Sequence, residues 1–236
     1  ALPKNDSRGA SEGRGRNHLN RFDRDHGTLI DAITAGDWNV KRIHKVDIEK
    51  KSIWFYAVGI YPDQDPYHEH FCRVNFDGTD LTILTTGDGT HQIQFQPNQE
   101  SFVDTYSRVD MAPVKELRDS KTGKLIAQLG RQDTEQQFGK RKLTERFVAK
   151  GRDGETDIWG IIHWPINFDP AKKYPVVENI YAGPHDHHVP KSFRTGYGHR
   201  HRIADAGMIV VQIDGMGTAW RSKQFHDYCW HNLADA

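Results

Sequence analysis

Short strand-like runs of apolar and β-branched residues, broken by turn signals, fill the first 130 residues. Val40-Lys41-Arg42-Ile43-His44-Lys45-Val46 alternates apolar and polar positions and predicts a half-buried strand. Ile53-Trp54-Phe55-Tyr56-Ala57-Val58 is rich in aromatic and β-branched residues and predicts another. Three turn signals recur, Asp25-His26-Gly27, Asp77-Gly78-Thr79 and Lys121-Thr122-Gly123-Lys124, with glycines spaced 51 and 45 residues apart. Each lies between two strand-like runs, as in a β-hairpin: Leu19–Asp23 with Thr28–Thr34, Phe71–Phe76 with Leu81–Thr85, Val114–Arg118 with Leu125–Leu129. Gln92–Phe95 and Ser101–Ser107 pair across Pro97-Asn98. A period of about 40–50 residues with several short strands per period is the mark of a β-propeller. The expected content is one residual hairpin and about two whole blades.

Beyond residue 135 the pattern changes. Thr144–Lys150 and Glu155–Trp164 flank Arg152-Asp153-Gly154, an Asp-Gly hairpin signal. Val176–Tyr181 is apolar enough for a buried strand. The 22 residues from His185 to Ala206 are long enough for a helical crossover to a parallel strand at Met208–Asp214. Residues 222–235 read as a helix, with Phe225, Cys229 and Leu233 at i, i+4 and i+8. The predicted fold class is mixed: a partial, all-β propeller followed by a truncated α/β-hydrolase domain. The predicted domains are a flexible segment over 1–17, a partial propeller over 18–135 and the N-terminal part of the hydrolase domain over 136–236.

Charge and composition narrow the function. Lys plus Arg equals Asp plus Glu at 32 each, so no global field draws nucleic acid or an anionic membrane. No apolar run approaches the ~20 residues of a membrane helix, and residues 1–17 carry no secretory pattern. The two cysteines, Cys72 and Cys229, are expected as free, buried thiols. His185-Asp186-His187-His188, with His199 and His201, could form a metal site, but the spacing is loose and a polar loop is the preferred reading. Asp214-Gly215-Met216-Gly217 lacks the third glycine of a dinucleotide fingerprint. No metal or cofactor is expected.

Several segments carry a family likeness. Gly36-Asp37-Trp38-Asn39-Val40, Phe76-Asp77-Gly78, Thr86-Gly87-Asp88-Gly89-Thr90-His91 and Phe102-Val103-Asp104-Thr105-Tyr106-Ser107 resemble late propeller blades of dipeptidyl-peptidase IV-like enzymes, in the prolyl oligopeptidase family of serine peptidases. The likeness continues through Phe147–Gly154, Asp157–Gly160, Tyr181-Ala182-Gly183-Pro184, Asp214–Thr218, Phe225-His226-Asp227 and Asn232-Leu233. Arg16 and Asn20 depart from it, standing where large aromatics are usual and predicting unpaired polar groups in the first hairpin. So do His187 and His188, in place of small or apolar residues, and Trp220, in place of a small polar one.

The resemblance implies a serine exopeptidase that releases dipeptides from peptide N-termini through an acyl-enzyme. It assigns Tyr181 as a phenolic donor to the oxyanion hole, and it allows a homodimer. No Gly-x-Ser-x-Gly occurs in the 236 residues, and none of the eight serines has elbow context. The nucleophile, acid and base are therefore expected outside this chain, which is expected to be inactive alone. The alternative is a non-catalytic, propeller-based protein-binding homologue.

Overall fold

The structure is a computed structural model, and it describes residues 6–11, 15–133, 142–181, 183–194 and 198–232. Among these the chain is mainly β, in four open sheets. The first contains β1 (Asp6–Ser11), β2 (His18–Asp23) and β3 (Leu29–Ala32), all antiparallel. The second is an antiparallel meander in chain order: β4 (Asn39–Asp47), β5 (Ser52–Val58), β6 (His70–Asn75) and β7 (Thr82–Ile83). The third, again in chain order, holds β8 (Thr90–Phe95), β9 (Ser101–Arg108), β10 (Met111–Asp119) and β11 (Leu125–Arg131). Two sheets of four strands and part of another follow one another, as the hairpin spacing predicts. The segment expected to be flexible over 1–17 contains a strand: Asp6–Ser11 pairs in register with His18–Asp23.

The chain divides into two compact units. One comprises residues 1–106, 115–130 and 220–224, the other residues 107–114, 131–219 and 225–236. In the first unit β5 is buried at every position and serves two cores at once. Ile53, Phe55 and Ala57 pack with Leu19, Ile33, Trp38, Val40 and Val74. Trp54 and Tyr56, on the opposite face, pack with Phe71, Leu84 and Phe102. The period-two geometry of a strand makes this possible, because successive side chains point to opposite faces. An apolar run without alternation thus marks a sheet sandwiched between two neighbours. At the edge of this sheet, β4 is buried only at Asn39 and Val40 and carries two register shifts.

The predicted turns form through aspartate side chains. Asp23 Oδ1 accepts from the N–H groups of Asp25 and His26, and Asp119 Oδ1 from those of Lys121 and Thr122. Side-chain oxygens of this kind mimic a backbone turn. The polar residues expected to be unpaired in the first hairpin are paired. Arg16 donates from Nε and Nη2 to Asp37 Oδ1, and Asn20 Nδ2 donates to His18 O at 3.0 Å. Satisfied hydrogen bonds remove most of the cost of placing such groups where aromatics are usual.

Deep in this unit lies a charged cluster. His91 Nδ1 is 2.8 Å from Asp104 Oδ1, and its Nε2 is 2.8 Å from Gly87 O. Asp104 and the Gly87 carbonyl thus hold the imidazole at both ring nitrogens. Asp104 is fully buried and also faces Arg118 Nε at 3.5 Å, while Arg118 is held by Glu116 Oε2. Tyr106 stacks on His91, and a Cβ at Gly87 would lie 2.4 Å from that ring. Glycine is therefore required at 87 for the tyrosine to approach.

His70 packs 4.8 Å from His91, centroid to centroid. Its Nε2 donates to Gln64 Oε1 at 2.8 Å. Thr85 Oγ1 accepts from Phe71 N and is left to donate to His70 Nδ1 at 3.4 Å. Burial first, and then the charges of His91 and His68, push the His70 imidazole down to about 2. The unfolded chain takes up this proton as pH falls below about 6.5, while the native protein does not. The stability that neutral His70 confers is fully present above that pH and declines as pH falls toward 2. We expect a loss of about 2–3 kcal/mol from this group between pH 6.5 and 4.5, at roughly 1.4 kcal/mol per pH unit. Urea unfolding of wild type and His70→Gln across that range checks this. Parallel pH profiles would disprove it.

In the second unit the fourth sheet runs β12 (Glu145–Lys150), β13 (Asp157–His163), β15 (Ile209–Ile213), β14 (Val176–Glu178). β12 with β13 and β13 with β15 are antiparallel, whereas β14 and β15 are parallel, with Val176 opposite Ile209. Helix α1 (His199–Asp205) lies on the connection between them. Strand β14 differs from the buried strand expected over 176–181. It is three residues long, sits at the sheet edge and leaves Val176 63% exposed. With one neighbouring strand among the described residues, its apolar side chains have little to pack on. The helix expected over 222–235 is α2 (Lys223–His226) followed by a 3₁₀ turn, Asp227–Cys229. Phe225 and Cys229 are both buried, and Leu233 lies outside the described residues. Phe225 packs with Ile158, Met216 and Ile213. Cys72 and Cys229 are free and buried.

Candidate functional site

The parallel pair defines where chemistry is possible in the second unit, because ligands of such sheets bind beyond the carboxyl ends of the strands. Asn179 directly follows β14 and still donates its N–H to Val211 O on β15, at 2.8 Å. Tyr181 comes two residues later, 42% exposed, in the loop that leaves the strand end. Among the described residues no group hydrogen-bonds its hydroxyl. Its ring lies 4.9 Å from that of His188. A Cβ at residue 183 would sit 2.5 Å from the tyrosine hydroxyl, so Gly183 leaves room for the ring to fold back over the loop. Ala182 lies outside the described residues.

The loop is anchored from β15. Asp214, fully buried just after that strand, accepts the N–H groups of His188 at 2.5 Å and Val189 at 3.0 Å on one oxygen. Its other oxygen is 3.5 Å from Lys191 Nζ, itself buried. Gln212 Nε2 donates to His188 O at 2.9 Å. Asn179 adds a clamp, accepting from His188 Nε2 at 3.4 Å and donating to His199 Nε2 at 3.2 Å. His226 Nε2 donates to Pro184 O at 3.0 Å. Burial, then the positive charge of Arg200, holds the His188 imidazole below its ordinary range, with Asp214 opposing. A neutral His188 is thus favoured beside the phenol.

This arrangement presents one neutral donor, the Tyr181 hydroxyl, on a braced loop at a parallel strand end. Sequence reasoning singled out Tyr181 and noted His188 as unusual. It missed Asn179, Gln212 and Lys191, and took Asp214 only as part of a turn. The signal for Asp214 was faint: a carboxylate ending an apolar strand, with no local partner in sequence. The histidines of 185–188 do not converge with His199 and His201 on a metal. Among the described residues no group of three or more His, Cys, Asp or Glu side chains is placed to hold one.

Successive meander sheets of four strands define a propeller-like β fold. A family profile described as "Dipeptidyl peptidase IV (DPP IV) N-terminal region" matches residues 5–113. A "Probable dipeptidyl-aminopeptidase B" of Emericella nidulans is 28% identical over 194 residues, covering 80% of this chain and 21% of that protein. Among solved structures, a provisionally assigned dipeptidyl aminopeptidase IV from Bacteroides ovatus matches 98% of this chain and 35% of its own, at TM-score 0.78 and 24% identity. Porphyromonas gingivalis dipeptidyl peptidase 4 matches 94% of this chain and 31% of its own, at TM-score 0.73 and 24% identity. Residues 5–113 thus match the N-terminal region of dipeptidyl peptidase IV, and the chain is similar to dipeptidyl aminopeptidases over most of its length. It spans about a fifth of the length of the curated relatives it matches.

Proposed function

We propose that this chain is part of a serine-type dipeptidyl peptidase. In this reading residues 18–135 are propeller blades that restrict entry to small peptides. Residues 136–236 begin an α/β-hydrolase domain, with β14 and β15 as two of its strands. The observation that carries the reading is the placement of Tyr181: an exposed phenol, unpaired among the described residues, on a braced loop at the carboxyl end of a parallel strand. Such a hydroxyl suits an oxyanion forming on a scissile carbonyl, since a phenol is a neutral donor at pH 7. The nucleophilic serine, its histidine and its aspartate are not among the 236 residues in this reading, and the relatives named above support the peptidase assignment.

The test compares this chain with the whole protein that carries it, using a fluorophosphonate probe and peptides with free or blocked N-termini. The expected result is one serine labelled per whole protein and dipeptides released only from free N-termini. The 236 residues alone should show neither labelling nor hydrolysis, because without the nucleophile only residual stabilisation remains. Stoichiometric labelling of the 236-residue chain would refute the reading. A whole protein that takes no label and cleaves nothing would favour the non-catalytic binding homologue.

A further inference from the structure

The second unit also holds a cleft of about 530 Å³ that the peptidase reading leaves unused. Val109, Ile161 and Phe193 contribute apolar lining, and His163, Arg194 and Arg200 contribute polar lining. Among the described residues no aspartate or glutamate lines it. Among the described residues neither Arg194 nor Arg200 has a carboxylate partner. The Nε of Arg200 is buried and makes no hydrogen bond among the described residues. Burial, and then the charge of Arg194, pull the Arg200 guanidinium below its ordinary range. Two neighbouring cations that line a cleft with no carboxylate beside them among the described residues form half of an interaction. Buried guanidinium N–H groups are normally matched by a carboxylate or phosphate.

We propose that this cleft binds a small organic acid, a carboxylate carried on an apolar body, with Arg200 holding the carboxylate. The volume lies in the usual range for small-molecule sites, about 300–1,000 Å³, and the mix of apolar lining with a few polar groups is typical of them. The apolar lining is what separates this ligand from a bare inorganic anion, which would have nothing to set against Val109, Ile161 and Phe193. Arg200 also faces His188 electrostatically, so a carboxylate bound there would offset a charge felt beside Tyr181. The proposal itself stands on the cleft and does not depend on the peptidase reading.

Calorimetric titration of the whole protein with 3-phenylpropionate tests it, with 3-phenylpropanamide and inorganic phosphate as comparators. We expect saturable binding of the carboxylate, weaker by about tenfold or more for the neutral amide. Arg200→Gln should weaken it by about 10- to 100-fold with the melting temperature unchanged. Arg200→Lys, which keeps the charge but loses the planar fork, should fall between the two. Absence of saturation, equal affinity for the amide, phosphate binding as tightly as 3-phenylpropionate, or wild-type affinity in a folded Arg200→Gln would each overturn the proposal.

Discussion

Replacing Asp104 with alanine is expected to destabilise the protein by about 3–5 kcal/mol, the cost of removing one member of a buried charge cluster. Asp104 has no exposed surface and meets His91 through both oxygens, at 2.8 and 2.9 Å. Without it His91 Nδ1 loses its buried partner, and Glu116 alone among the described carboxylates stays beside the Arg118 guanidinium. Asp104→Asn keeps the shape and loses the charge, so a smaller effect is expected. Urea unfolding at constant m-value checks both variants. A loss below about 1 kcal/mol for Asp104→Ala would show that the cluster is not the buried ion pair described here.

Removing a single oxygen should have a comparably large effect on catalysis. On the proposed role of Tyr181, Tyr181→Phe in the whole protein lowers kcat by about 10²–10³-fold, as for loss of one oxyanion donor elsewhere. KM should stay within a few-fold, because the hydroxyl acts on charge that exists only in the transition state. Stability should change by no more than about 0.5 kcal/mol, since the ring is partly exposed and its hydroxyl has no hydrogen bond to lose among the described residues. Steady-state kinetics with a chromogenic dipeptide substrate, alongside thermal melting, separates these effects. A kcat within threefold of wild type would remove Tyr181 from the mechanism. A drop in kcat matched by a large drop in melting temperature would mean that the loop, and not the hydroxyl, had been damaged.

The blades were legible because their signals are local. Asp-Gly turns and period-two runs act over a few residues, so β2 through β11 fall close to where the pattern predicts. The misses share a cause. Strand β1 is polar and glycine-containing, and it exists only because β2 offers an edge to pair with. Strand β14 reads as buried in isolation, but the sheet places it at an edge. Arg16 and Asn20 look costly until Asp37 and the His18 carbonyl are brought to them.

The candidate site divides the same way. Tyr181 could be named from a short motif, whereas its bracing could not. Asp214 reaches back 25 and 26 residues to Val189 and His188, and Asn179 reaches forward 20 to His199. From its own order of residues this protein determines its strands, its turns and its family likeness, because each of these is written in neighbouring positions. Only the tertiary structure decides that Asp104 holds His91 while burial keeps His70 beside it neutral, that Asp214 holds the Tyr181 loop, and that Arg200 opens onto a cleft. Those outcomes depend on burial and on partners that chain folding brings together, and neither is a property of any short stretch of sequence.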